Sequence, residues 1–121
     1  MYIILPFCDG GDLGKEILHK QKIPENEAVE ILKQILAGLN YLIEQNVIHR
    51  DLKPDNIFIK DGVYMIADFG FAKIFTPNKL MESMVGTPLY ESPQILQNDA
   101  YSDKSDIWSL GLIYYEMIFG T

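Results

Sequence analysis

The sequence holds a single cysteine, Cys8, and a single tryptophan, Trp108. One thiol cannot close an internal disulfide, which fits a reducing compartment and makes an intracellular, cytoplasmic chain the expectation. Basic residues are also scarce, with 10 Lys and Arg against 17 Asp and Glu and a net charge of -7. Binding along a nucleic-acid backbone draws its affinity from clustered Lys and Arg, so no nucleic-acid partner is expected. The acidic balance serves solubility first and would favour basic partner peptides over anionic ones.

Long hydrophobic runs are missing too. The stretch from Tyr2 to Phe7 is apolar, but Pro6 interrupts it, and it lacks the basic flank and small-residue cleavage site of a secretory signal. The run from Ile107 to Phe119 contains Glu116 and is too short to cross a bilayer. No membrane span, internal repeat or low-complexity stretch is expected. With 121 residues, 48% of them hydrophobic, the chain has the length and the apolar content for one domain with a core.

Residues Tyr2 to Cys8 read as a buried strand that ends in the turn-prone Asp9, Gly10 and Gly11. Asp12 is placed as the N-cap of a short helix running to His19. A second helix starts near Pro24, where proline suits the first turn and Glu25 and Glu27 complement the positive helix end. Its apolar positions, Ile31, Leu32, Ile35, Leu36, Leu39, Leu42 and Ile43, fall on one face, and it ends near Asn46.

Two short apolar runs, Ile57 to Lys60 and Val63 to Ala67, flank Asp61 and Gly62, a strong hairpin signal because both turn residues tolerate positive φ. Pairing Lys60 with Val63 sets Ile57 beside Ile66 and brings Asn56 and Asp68 out together at the open end. Residues 70–94 have no clear period and contain Pro77, Pro88 and Pro93, so they read as a long irregular segment. The run Asp106 to Phe119, apolar nearly all round, reads as a buried helix.

The run HRDLKPDN, His49 to Asn56, resembles the catalytic loop of the eukaryotic protein kinase superfamily. In that resemblance Asp51 is the base that accepts a substrate hydroxyl's proton and Lys53 neutralises charge on the transferred phosphoryl group. Asn56 offers a neutral carbonyl oxygen to Mg2+. Seventeen positions beyond Asp51 stands DFG, and the resemblance makes Asp68 the second Mg2+ ligand. The run GTPLYESP, Gly86 to Pro93, resembles the end of an activation segment, in which Thr87 faces the incoming peptide and fixes Asp51 and Lys53. Lys53 and Thr87 together are similar to the serine/threonine branch. DIWSLG, from Asp106, resembles the start of the family's central helix, with Asp106 accepting backbone N–H bonds from the catalytic loop.

At the front, IILPFCDGGDL, Ile3 to Leu13, resembles the connection between the two kinase lobes. By that resemblance Leu5 guards the back pocket, and the Pro6 carbonyl and Cys8 N–H meet the adenine edge of ATP. Asp12 then approaches the ribose, and Phe58 floors the site although it is bulkier than the usual aliphatic residue. The implied fold is mainly α with small β-hairpins, a partial protein kinase-like fold. Residues 1–11 would be the last small-lobe strand and the hinge, and residues 12–121 the large C-terminal lobe through its central helix.

No glycine-rich phosphate loop, VAIK-type lysine or partner glutamate precedes Ile3, so the 121 residues alone are expected to be inactive. The final helix, without covering helices, is expected to expose an apolar patch. At Gln94 a glutamine stands where the family's APE-like motif carries a glutamate. Arg50 could pair with an activating phosphate on Ser83, Thr76 or Thr87. The DFGFA run and its spacing to Ser83 are similar to the unc-51-like, autophagy-initiating group. The implied function is transfer of the ATP γ-phosphoryl group to Ser and Thr hydroxyls of protein substrates. The alternatives are a truncated pseudokinase or scaffold that only binds, and a small-molecule phosphotransferase, which would have no use for GTPLYESP.

Overall fold

A computed structural model describes residues 2–76, 85–97 and 100–120. In chain order the elements are α1 (Leu13–Lys20), α2 (Glu25–Glu44), β1 (Val47–Ile48), β2 (Ile57–Lys60), β3 (Val63–Ile66), β4 (Lys73–Ile74), α3 (Pro93–Leu96) and α4 (Asp103–Phe119). Helices dominate, and the strands form two small antiparallel sheets, β1 with β4 and β2 with β3.

Asp12 caps α1 as expected, its carboxylate accepting the Lys15 N–H at 2.9 Å. α2 starts one residue beyond Pro24, which occupies the N-cap position, and its periodic face buries Ala28, Ile31, Ile35, Leu39 and Leu42. Leu36, placed on that face by its spacing, is 40% exposed. The buried face of α2 meets the β2–β3 hairpin on one side and α4 on the other. Leu110, Ile113 and Met117 of α4 complete this core together with Leu13, Ile17 and Ile57.

The hairpin register is the expected one, Lys60 with Val63 and Ile57 with Ile66. Gly62 at φ 74° and Asp61 at φ 50° supply the two positive angles of the turn.

Two expectations are corrected. Residues 2–7 form no strand and are exposed, because no strand among the described residues lies alongside to take up their backbone N–H and C=O groups. Order begins where the linker meets the hairpin, with Gly10 N–H donating to the Ile59 carbonyl and Ile59 N–H donating to the Gly11 carbonyl, both at 2.9 Å. The second correction concerns α4. It begins three residues earlier, at Asp103, under a capping box of Ser102 and Ser105. It is buried on one face only, leaving Ile107 and Trp108 each 46% and Phe119 68% exposed.

The irregular segment contains more order than its composition suggested. β4 pairs Lys73 with Ile48 and Ile74 with Val47, and α3 buries Ile95 against Ile48 and Tyr101 in a second small core. Among the described residues no helix is long and apolar enough to cross a membrane.

Candidate active site

The run from His49 to Asn56 leaves β1, bends through Arg50 at φ 69°, and enters β2 by a short helical turn, Pro54–Asn56. Positive φ is uncommon for a residue with a Cβ, so the bend needs support from outside. Asp106, at the start of α4, gives it: Oδ2 accepts the His49 N–H at 2.8 Å and Oδ1 accepts the Arg50 N–H at 3.1 Å. Burial pushes the Asp106 carboxyl upward in pKa, and these two amide donors oppose that push. The contact expected between Asp106 and this loop is therefore present.

His49 is fully buried and ties the loop to the residues beyond β3. Its Nδ1 accepts the Asp51 N–H at 3.2 Å, so Nε2 carries the proton and donates to the Ala67 carbonyl at 2.8 Å. The Phe69 ring packs against the same ring in a T-shaped arrangement, with centroids 5.2 Å apart.

Asp51 is only 8% exposed and sits among three polar partners. The Asn56 amide donates to its backbone carbonyl at 2.8 Å and to Oδ2 at 3.1 Å. The Thr87 hydroxyl donates to Oδ1 at 2.8 Å while accepting from Lys53 Nζ at 2.9 Å. Lys53 Nζ also lies 3.8 Å from Asp51 Oδ2. Asp51, Lys53, Asn56 and Thr87 thus meet, although they come from two segments more than thirty residues apart.

Asp68 is brought near by the backbone, since Ala67 N–H donates to the Asn56 carbonyl at 2.8 Å across the open end of the hairpin. Its own side chain is exposed and, among the described residues, accepts from the Gly70 N–H at 3.2 Å, and its φ of 55° turns the chain out of the strand. The Asn56 amide nitrogen is committed to Asp51, which leaves the carbonyl oxygen as the end that can face a cation. An amide oxygen and a carboxylate are hard donors of the kind that suit a cation such as Mg2+, which takes its other ligands from phosphates and water.

The front residues are less gathered. Asp12 bridges to Phe58 through the backbone, and its carboxylate is engaged in capping α1 and in an ion pair with Lys15 at 3.2 Å. Phe58 is half-buried on β2. Pro6 is exposed, and Cys8 meets it only through a long Sγ to carbonyl contact of 3.8 Å. Leu5 is 72% exposed.

Other contacts were not legible in the motifs. Tyr101 lies under Arg50, whose guanidinium carbon is 5.3 Å from the ring centroid, and its hydroxyl reaches Val85 and Glu91. Arg50 Nε donates to the Phe71 carbonyl at 2.7 Å. The Tyr90 hydroxyl donates to Glu116 at 2.7 Å, and burial followed by that carboxylate raises its pKa. None of these pairs has a local spacing that marks it. Of the three hydroxyls considered for an activating phosphate, Ser83 lies outside the described residues, Thr76 is exposed, and Thr87 is engaged with Asp51 and Lys53.

Comparison with known proteins identifies the family. The family model described as the protein kinase domain matches residues 1–121. The serine/threonine-protein kinase atg1 of Dictyostelium discoideum is 41% identical over 124 residues, covering 99% of this chain and 19% of the relative. ATG1b of Arabidopsis thaliana is 41% identical over 122 residues, with 98% and 17% covered. Nek4 of Mus musculus is 40% identical, with 97% and 15% covered. The chain therefore spans about a fifth or less of the length of these curated relatives. With its HRDLKPDN loop, its DFG turn and a full-length match to the family model, the chain belongs to the protein kinase domain family.

Proposed function

We propose that this chain carries the phosphoryl-transfer residues of a serine/threonine protein kinase, which moves the γ-phosphoryl group of ATP to Ser and Thr hydroxyls. The observation that carries the reading is the Asp51–Thr87–Lys53 arrangement: a buried carboxylate already holding a threonine hydroxyl, with an ammonium on that hydroxyl's other side. An incoming hydroxyl needs the same two things, an acceptor for its proton and a cation beside its oxygen.

In this reading Asp51 orients the acceptor hydroxyl and takes its proton, and Lys53 offsets charge on the transferred group. Asn56 and Asp68 are the oxygen donors for Mg2+, which when bound neutralises phosphate charge. Asp106 positions rather than reacts, since it holds the bend that presents Asp51. Residues 1–11 are assigned to the small-lobe connection and residues 12–121 to the large lobe. The backbone at Pro6 and Cys8, with Asp12 and Phe58, is assigned to the nucleotide's base and ribose. An ATP donor places the reaction inside the cell, in keeping with the lone Cys8.

The test is label transfer from γ-labelled ATP with Mg2+ by the native protein to peptides bearing Ser, Thr or Tyr. Labelled phosphoserine or phosphothreonine is the expected product. No label above background on any hydroxyl, with intact Asp51, Asn56 and Asp68, would leave only a binding module.

A further inference from the structure

The turn Pro88–Tyr90 folds the chain back so that Glu91 lies against Gly86, the residue before Thr87. A Cβ placed on Gly86 would stand 3.0 Å from Glu91 Oε1 and 2.6 Å from the carbonyl oxygen of Arg50, the residue before Asp51. Gly86 thus lies between the Glu91 carboxylate on one side and the backbone carbonyl preceding Asp51 on the other.

That carboxylate is poorly supplied with donors. Its partner is the Tyr101 hydroxyl at 3.1 Å. The same hydroxyl also faces the Val85 carbonyl, and a phenol has one proton to give. Glu91 is half-buried, and none of the ion pairs among the described residues includes it. A half-buried carboxylate with a shared proton and no ion-pair partner among the described residues gains most from an added cationic donor.

Resting on the kinase reading above, we propose that Glu91 is a specificity-determining residue, selecting peptide substrates with Lys or Arg directly beside the accepting hydroxyl. Adjacent residues in an extended peptide are about 3.8 Å apart, so a long Lys or Arg side chain beside a hydroxyl held at Asp51 is within reach of the carboxylate next to Gly86. The chain's overall charge of -7 adds attraction for such peptides at a distance.

The test compares serine peptides with Arg, Ala or Glu on either side of the serine, using the native protein and its Glu91→Gln and Glu91→Lys variants. The readout is the ratio of kcat/KM for Arg over Ala within each protein, so a general loss of activity cancels. In the wild type that ratio is expected to be about tenfold and to shrink at high salt. In Glu91→Gln, which keeps an acceptor for Tyr101, it should fall below about threefold, and in Glu91→Lys the order should reverse in favour of Glu. Transfer with no preference in the wild type, or an undiminished preference in Glu91→Gln, would overturn this inference alone. No transfer to any peptide would overturn the kinase reading and this inference with it.

Discussion

The hydroxyl of Thr87 donates to Asp51 Oδ1 at 2.8 Å and accepts from Lys53 at 2.9 Å, which joins the segment after Gly86 to the loop after β1 through one side chain. Thr87→Ser keeps both bonds and should keep most of the activity. Thr87→Val keeps the shape and loses the bonds, leaving Lys53 and Asp51 to rearrange. Its kcat/KM should drop about tenfold or more. Steady-state kinetics on both variants checks this, and equal activity in the two would deny Thr87 a positioning role.

The Asp106 clamp makes a separate prediction about stability. Asn in its place has one acceptor oxygen for two buried amides, so either the His49 or the Arg50 N–H loses its partner. Asp106→Asn should destabilise the native protein by about 1–3 kcal/mol. Denaturant titration measures it. A shift near zero would mean that the bend at Arg50 stands without the clamp.

Gly86 has a φ of 116°, and a Cβ there would press on a backbone carbonyl that cannot swing aside. Gly86→Ala should therefore cost about 1–3 kcal/mol and disturb Thr87 as well. Loss of both thermal stability and turnover is the expected pair of results. Turnover intact at reduced stability would separate Gly86 from the site.

Alkaline pH should weaken the fold. Burial and neighbouring carboxylates raise the phenol pKa values of Tyr64 and Tyr90 above their ordinary value of 10.0. Above that value the folded state holds protons that the unfolded state has released, so these tyrosines stop contributing stability as pH climbs past about 10. Thermal midpoints recorded from pH 8 to 11 should fall above pH 10. The fall should be shallower in Tyr90→Phe.

How much of this was legible in the sequence depended on range. The hairpin register followed from Asp61 and Gly62 because a two-residue turn leaves little freedom. Asp12 was read as a helix cap for the same local reason. The roles expected of Asp51, Lys53, Thr87 and Asp106 came from motif resemblance; the structure shows Thr87 bonded to Asp51 and Lys53, and Asp106 bonded to the loop at His49. The strand expected at Tyr2–Cys8 failed because apolar residues make a strand only when another backbone lies alongside. β1 with β4, Tyr101 with Arg50, and Tyr90 with Glu116 all join distant positions whose residue types carry no shared pattern. The early start of α4 was missed because Ser102 and Ser105 were not read as a capping pair.

The most direct measurement compares Asp51→Asn with the wild-type native protein, recording Mg2+-dependent ATP affinity and single-turnover phosphoryl transfer side by side. ATP affinity should change by less than about threefold while transfer slows by at least about 100-fold, since the lost group handles a proton and not the nucleotide. Transfer at an undiminished rate in Asp51→Asn would contradict the account.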